Sequence, residues 1–242
     1  MVDLSVEICG LRLRNPTMLA SGVLDETGKS MVAVARSGAG AVVTKSIGLE
    51  SREGHPNPTV VELEHGLLNA MGLPNPGIEV FAEEIRVAKK AKVPIVGSVF
   101  GGTAEEIAEV ARRMGQAGAD AIELNLSCPH AKGLGAEIGS SPEGVELICR
   151  RAKEVSGVPV FAKLTPNTSS VADLALAAER GGADGIVAIN TLKAMSISAE
   201  ARRPELGNLV GGLSGPVARQ VVREVAQGAE QGAAGAAQDG RP

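Results

Sequence analysis

The chain has 242 residues, of which 44% are hydrophobic, so it can bury a substantial core and is long enough for one large domain. A net charge of -4 and the lack of a basic block argue against nucleic acid or an anionic membrane as the main partner. The sequence has no Trp or Tyr and only three Phe, so it has no aromatic platform for stacking bases. It also has no N-terminal signal and no apolar run of membrane-spanning length, which predicts a soluble, cytoplasmic protein.

The cysteines and histidines predict neither disulfides nor a metal site. The three cysteines include no CxxC pair, and the three histidines lack the spacing of metal ligands. Cys149 lies in an apolar run of a predicted helix and is expected in the core.

In the first half of the chain, short apolar runs alternate with amphipathic segments. They predict a β-hairpin over residues 4–13, strands over 17–20, 41–44 and 93–96, and helices over 29–37, 77–91 and 103–117. We expect the hairpin to plug or cover a larger body. Thr103 and Glu106 have the spacing of a capping box. Residues 48–76 contain four prolines and predict a long irregular segment, which within a compact domain usually has a functional role.

The second half of the chain repeats this alternation. It predicts strands over residues 121–124, 160–162 and 185–189, and helices over 142–155, 170–180 and from Pro216 to about 226.

Six strand–helix units of this kind predict an α/β fold with a parallel sheet and right-handed crossovers. The sheet can be open and doubly wound, or closed as a (β/α)8 TIM barrel with the hairpin at its N-terminus. A barrel brings all carboxyl strand ends into one ring, whereas an open sheet brings together only those at its switch point. Polar residues follow six strands in turn, which favours the barrel, with about six of its eight units: Ser21, Lys45, Ser98, Asn125, Lys163 and Asn190.

The segment after residue 226 differs from the rest. It is rich in Gly, Ala and Gln and has no apolar run, so it cannot supply buried strands. We therefore expect an incomplete barrel domain over residues 1–226 and a low-complexity, disordered tail over 227–242, as in a truncated or frameshifted coding sequence. The loops after strands seven and eight, where such barrels bind phosphate, then have no counterpart.

Residues 123–135 concentrate the reactive groups. A buried strand ends in an amide, a hydroxyl and a thiol, those of Asn125, Ser127 and Cys128, and a loop with several glycines follows. This pattern is typical of a reactive group beneath a movable cover. A lone cysteine is more often structural than catalytic, so the residues alone leave both roles open.

A series of motifs, ordered along residues 1–226, resembles class 1 dihydroorotate dehydrogenases, in particular the catalytic subunit of the NAD-linked, type B form. The motifs are Ala20-Ser-Gly22, Thr44-Lys-Ser46, Asn69-Ala-Met-Gly-Leu73, Glu123-Leu-Asn-Leu-Ser-Cys-Pro129, Lys163-Leu-Thr-Pro166, Asn190-Thr191 and Gly212-Leu-Ser-Gly-Pro216. The resemblance implies an FMN-containing barrel that oxidises dihydroorotate to orotate in pyrimidine biosynthesis. It also implies a partner subunit with FAD and a [2Fe–2S] cluster, in a heterotetramer of two catalytic and two electron-transfer subunits.

The resemblance also implies roles for individual residues. Cys128 corresponds to the catalytic base, which removes the C5 proton while hydride passes from C6 to FMN N5. The residues expected to hold the substrate are Lys45, Asn69, Ala70, Met71, Gly72, Leu73, Asn125, Asn190 and Thr191. The residues expected to contact FMN are Ser21, Lys45, Ser46, Ser98, Asn125, Lys163, Ile189 and Gly215. Many relatives carry Asn in place of Ser98.

Two other functions remain as alternatives. One is a non-catalytic barrel remnant that exposes two sheet edges. The other is a different FMN barrel that acts on pyrimidines, such as the related domain of dihydropyrimidine dehydrogenases.

Overall fold

The computed structural model describes residues 2–127, 138–223 and 227. Its strands, in chain order, are β1 (Val6–Ile8), β2 (Leu11–Leu13), β3 (Met18–Leu19), β4 (Ala41–Val43), β5 (Ser51–Arg52), β6 (Val60–Leu63), β7 (Gly66–Asn69), β8 (Asn75–Pro76), β9 (Ile95–Val99), β10 (Ala121–Asn125), β11 (Val160–Lys163), β12 (Gly185–Val187), β13 (Leu192–Ala194), β14 (Ile197–Ser198), β15 (Arg203–Pro204) and β16 (Gly211–Ser214). Its α-helices are α1 (Gly28–Arg36), α2 (Ile78–Ala88), α3 (Ala104–Ala117), α4 (Pro142–Val155) and α5 (Val171–Arg180). Short 3-10 helices are Lys89–Ala91, Ile138–Ser140 and Pro216–Ala218.

Six parallel strands form the central sheet, in the order β3-β4-β9-β10-β11-β12, which is also their order in the chain. One of the helices α1 to α5 lies in each of the five connections between successive strands of this sheet. Sequential parallel strands with helical crossovers are the arrangement of a (β/α)8 barrel, and six of its strands are present in the described residues. The predicted fold is confirmed.

Ser and Thr side chains begin four of the helices α1 to α5. Thr27, Thr103, Ser141 and Ser170 each accept a hydrogen bond from the backbone N–H three residues later. The predicted capping box at Thr103 is only half correct, because Glu106 accepts from the Gly102 N–H and not from that of Thr103.

The two faces of the sheet pack differently because successive side chains on a strand point to opposite sides. Val42, Ile95, Ile122 and Ala162 belong to the large core between sheet and helices. The alternate residues Val43, Val96, Ala121 and Phe161 form a smaller cluster on the barrel-interior side. Leu11 of β2 packs against that interior cluster, so the antiparallel hairpin β1–β2 closes one end of the barrel, as predicted.

The prediction of an irregular segment over residues 48–76 is wrong. It contains the hairpin β6–β7 and the strand pair β5–β8. The strand β7 also pairs with β16, which in turn pairs with β13, so a second, four-stranded sheet forms. Strand β16 has two glycines and no alternation of apolar residues, so the sequence pattern did not reveal it.

Other predicted bounds shift by a few residues. The strand predicted over 93–96 is β9, Ile95–Val99, so Ser98 lies within it; the strand predicted to residue 189 ends at Val187. Cys149 is fully buried, and burial raises the pKa of its thiol to about 12, which confirms its place in the core. No helix in the described part of the chain is long and apolar enough to cross a membrane. The predicted tail over 227–242 lies outside the described residues apart from Gln227, and its boundary stays a prediction.

Candidate active site

The strands that form the barrel interior change from apolar to polar toward their carboxyl ends. On β10, Ala121 joins the interior apolar cluster, and Glu123 and Asn125 follow on the same side. On β11, Phe161 precedes Lys163 in the same way. The apolar layer therefore forms a floor, and the polar groups lie together above it.

A chain of hydrogen bonds joins the polar groups of neighbouring strands. Ser98 Oγ donates to Glu123 Oε1 over 3.0 Å and lies 2.9 Å from Ser46 Oγ. Asn125 Nδ2 donates to Ser46 Oγ over 3.0 Å, and Ser21 Oγ lies 3.3 Å from the same atom. The Ser98 hydroxyl donates its proton to Glu123, so in the contact between Ser98 and Ser46 the donor is Ser46. The donor and acceptor roles of the hydroxyls in this series of hydrogen bonds are therefore defined.

Lys163 is paired with a buried carboxylate. Its Nζ lies 3.5 Å from Glu123 Oε1, and the two residues are 8% and 2% exposed. Sequence analysis did not single out Glu123, although a charged residue within an otherwise apolar strand is an available signal.

Lys45 is held at the edge of the site by the turn that follows β3. Its Nζ donates to Gly22 O over 2.6 Å and lies 3.6 Å from Glu26 Oε1. The Gly22 N–H donates to Asp25 Oδ2 over 2.6 Å, while Asp25 Oδ1 has no partner in the described structure. Burial raises the pKa of Asp25 to about 6, and the Gly22 N–H and the Lys45 ammonium offset only part of that effect. Asp25 was also missed from sequence.

Asn125, Asn190 and Thr191 hold one another in fixed orientations. Asn125 Oδ1 accepts from Asn190 Nδ2 over 3.1 Å and from the Ser127 N–H over 3.2 Å. Asn190 Oδ1 accepts from the Thr191 N–H over 2.9 Å. Each of the two amides therefore keeps one N–H that can donate to a ligand.

Asn69 comes from the second sheet and faces the same space. Its Nδ2 donates to Gly212 O over 3.3 Å, and nothing among the described residues donates to its Oδ1. This amide therefore has both an acceptor and a donor available to a ligand.

A cavity of about 470 Å³ lies where these groups meet, and we call it the central cavity. Its size is within the roughly 300–1,000 Å³ typical of small-molecule sites. Eleven of the residues predicted to bind substrate or cofactor line it: Ser21, Lys45, Ser46, Asn69, Met71, Leu73, Asn125, Lys163, Ile189, Asn190 and Thr191.

A second cavity of about 400 Å³ adjoins the central cavity and shares several of its lining residues. The predicted substrate residues Ala70 and Gly72 line it, together with Ser127, whose buried Oγ has no partner in the described residues. Asn167, which the sequence analysis missed, also lies here. Its Nδ2 donates to Thr191 O over 3.1 Å and its Oδ1 accepts from the Lys193 N–H over 2.8 Å, so it holds the backbone beside Thr191.

Among the described residues, two predicted site residues line neither of these two cavities: Ser98 and Gly215. Ser98 is fully buried beneath Ser46, to which it is hydrogen bonded. Gly215 lines a separate cavity beside the β6–β7 turn, next to Ser214, which that cavity and the central cavity share. Cys128 lies outside the described residues, so its role stays a prediction.

Comparison with known proteins agrees with this geometry. The family model for dihydroorotate dehydrogenase matches residues 3–232. The chain is 54% identical to dihydroorotate dehydrogenase B (NAD(+)), catalytic subunit, of Thermoplasma acidophilum, over 88% of this chain and 70% of that protein. The proteins of the same name from Pyrococcus abyssi and Methanocaldococcus jannaschii are 55% and 49% identical, over 86% and 87% of this chain and 69% and 70% of their own lengths.

The match covers nearly all of the segment over which the sequence motifs are distributed, so the predicted resemblance is confirmed. The chain belongs to the dihydroorotate dehydrogenase family.

Proposed function

We propose that this chain is an FMN-dependent dihydroorotate dehydrogenase, which oxidises (S)-dihydroorotate to orotate in pyrimidine biosynthesis. One observation carries the proposal: in a chain of this family, two lysines and three carboxamides that lie in or just after separate strands line a single cavity. We place the reaction in the cytoplasm.

The residues present fit a flavin and a pyrimidine carboxylate. The central cavity combines apolar walls, such as those of Met71 and Ile189, with a few fixed polar groups, as expected for a planar aromatic cofactor. The Ser127 Oγ in the adjoining cavity, which has no partner among the described residues, is a polar atom that a bound ligand can satisfy.

FMN, when bound, supplies the acceptor for the hydride that leaves C6 of dihydroorotate. The C5–H bond must also break, and its electron pair forms the C5=C6 double bond. We assign removal of the C5 proton to the thiolate of Cys128, which follows the last residue of β10 by three positions in the sequence.

Lys45 and the carboxamides orient the substrate in this proposal. Lys45 is 4% exposed and its ammonium donates to Gly22 O, so it is a fixed positive charge for the substrate carboxylate. The remaining N–H groups of Asn125 and Asn190 donate to ring carbonyls, and Asn69 Oδ1 accepts from a ring N–H.

Lys163 provides electrostatic stabilisation in the same proposal. Its ammonium lines the cavity at the end of β11, where it can stabilise the negative charge that accumulates on the flavin during hydride transfer.

The test is reconstitution with FMN followed by anaerobic mixing with dihydroorotate. The protein should bind FMN stoichiometrically, and its flavin absorbance should bleach on addition of dihydroorotate. Cys128→Ala should keep its FMN but be bleached at least about a hundredfold more slowly, in line with the loss of a general base. A protein that binds no FMN would instead favour the non-catalytic barrel, and unchanged bleaching in Cys128→Ala would remove Cys128 as the base.

We further propose a partner subunit that carries FAD and a [2Fe–2S] cluster and passes electrons to NAD, in a heterotetramer of two subunits of each kind. The relatives are named as NAD(+) catalytic subunits, which supports a partner. The whole chain has three cysteines, too few for a cluster held by four thiolates. NAD should therefore be reduced only when that partner is added, and NAD reduction by the isolated chain would contradict this proposal.

A further inference from the structure

Glu123 is a buried carboxylate that the proposed mechanism leaves unused. It lies in the middle of β10, faces the barrel interior and is 2% exposed. A buried charge is costly unless it is paired and hydrogen bonded, so its contacts indicate its role.

The contacts of Glu123 lead to Lys163. Glu123 Oε1 is 3.5 Å from Lys163 Nζ, and this is the only salt bridge that Lys163 makes within the described residues. Lys163 lines the central cavity and Glu123 does not. The carboxylate therefore contacts the ammonium from the protein side, and a ligand contacts it from the cavity side.

The same oxygen also determines the direction of the hydroxyl chain. Glu123 Oε1 accepts from Ser98, so Ser98 accepts from Ser46, and Ser46 accepts from the amide of Asn125. Hydrogen bonds in such a chain polarise one another. One carboxylate thus connects the groups assigned to both the flavin and the substrate.

We propose that Glu123 is a positioning residue for Lys163: its carboxylate fixes the ammonium at the wall of the central cavity, offsets part of its charge, and would thereby set the reduction potential of FMN bound there. This inference rests on the proposed function for its effect on FMN, while the pairing itself exists in the protein without cofactor. Removing the negative charge leaves the ammonium uncompensated, which favours the reduced, more negative flavin.

The test is Glu123→Gln, which keeps the shape of the side chain and an oxygen that accepts from Ser98 but removes the charge. We expect FMN to remain bound and its midpoint potential to rise by at least about 30 mV, a tenfold change in the equilibrium of a two-electron couple. Glu154→Gln is the matched control, because Glu154 pairs with Arg151 on the exposed side of α4, and its potential should equal that of the parent. An unchanged or lowered potential in Glu123→Gln overturns the proposal.

Should Glu123→Gln not fold, Glu123→Asp replaces it. The aspartate keeps the charge but ends one methylene further from Lys163, so the potential should rise by less than in the glutamine variant. An unchanged potential in Glu123→Asp also overturns the proposal.

Urea unfolding of the cofactor-free protein separates this inference from the proposed function. Lys163→Met leaves the buried Glu123 carboxylate without its cationic partner and should lower the unfolding midpoint more than the double variant Lys163→Met/Glu123→Gln does. Additive effects of the two substitutions would show that the pair is not coupled. A parent protein that binds no FMN would refute the proposed function, and this unfolding comparison would still decide whether Glu123 positions Lys163.

Discussion

Asp25→Asn should gain stability relative to the parent as the pH rises to neutrality, although Asp25 lies against the active site. The carboxyl is fully buried, its Oδ1 has no partner in the described structure, and its pKa is about 6. A solvated aspartate titrates near pH 3.9. A raised pKa means that the folded state prefers the neutral carboxyl, so the ionised form is destabilising.

The magnitude follows from the difference between the two pKa values. At about 1.4 kcal/mol for each tenfold ratio, ionised Asp25 costs about 3 kcal/mol of unfolding free energy once the pH exceeds about 6. The penalty is absent below about pH 3.9, where both states are protonated, and it develops as the pH rises between these values. Between about pH 4.5 and about pH 8, roughly 2 kcal/mol of it should appear.

The assay is urea unfolding of the parent and of Asp25→Asn at both pH values. The asparagine has its own cost, because one end of its buried amide lacks a partner, but that cost does not depend on pH. The comparison that matters is therefore the change with pH: the variant should gain about 2 kcal/mol relative to the parent on going from the lower to the higher pH.

Asp173→Asn controls for the loss of a negative charge, since Asp173 is exposed in the first turn of α5. It should show no such gain. A stability difference between Asp25→Asn and the parent that is the same at both pH values would refute the reasoning.

Two further substitutions test residues of the site. Lys45→Gln removes the buried ammonium and should weaken orotate binding by about 10- to 100-fold, as expected for loss of a charge-assisted hydrogen bond. Titration of the flavin spectrum with orotate measures this affinity, and an unchanged affinity would exclude Lys45 from carboxylate binding. Asn167→Asp removes the N–H that donates to Thr191 O and should weaken orotate binding about tenfold without loss of FMN. Asn208→Asp is the control, because Asn208 lines the same cavity away from Thr191, and it should have little effect. Equal effects of the two substitutions would mean that Asn167 does not position Thr191.

The helices and the order of the central strands could be read from the sequence because both depend on local patterns. In α3, Ile107, Val110, Ala111 and Met114 repeat at helical spacing and are buried, and Thr103 begins the helix as its N-cap. The buried strands alternate with such helices, and the parallel, sequential sheet follows from the handedness of their crossovers.

Most residues of the site could also be predicted from the sequence. Polar residues at successive strand ends predicted a ring, and Lys45, Asn125, Lys163 and Asn190 do line one cavity. The prediction succeeded because the carboxyl ends of parallel strands in a barrel must lie on the same side.

Long-range pairing and burial were decided only by the tertiary structure. Strand β16 is recognisable because it pairs with β7, and Asn69 bonds to Gly212, 143 residues away. Likewise, whether an acidic residue is buried depends on the elements that pack around it, so Asp25 looks like an ordinary carboxylate in the sequence. Periodicity, caps and turn residues are set by neighbours in the chain, whereas hydrogen-bond partners and the pKa of a buried group are set by neighbours in space.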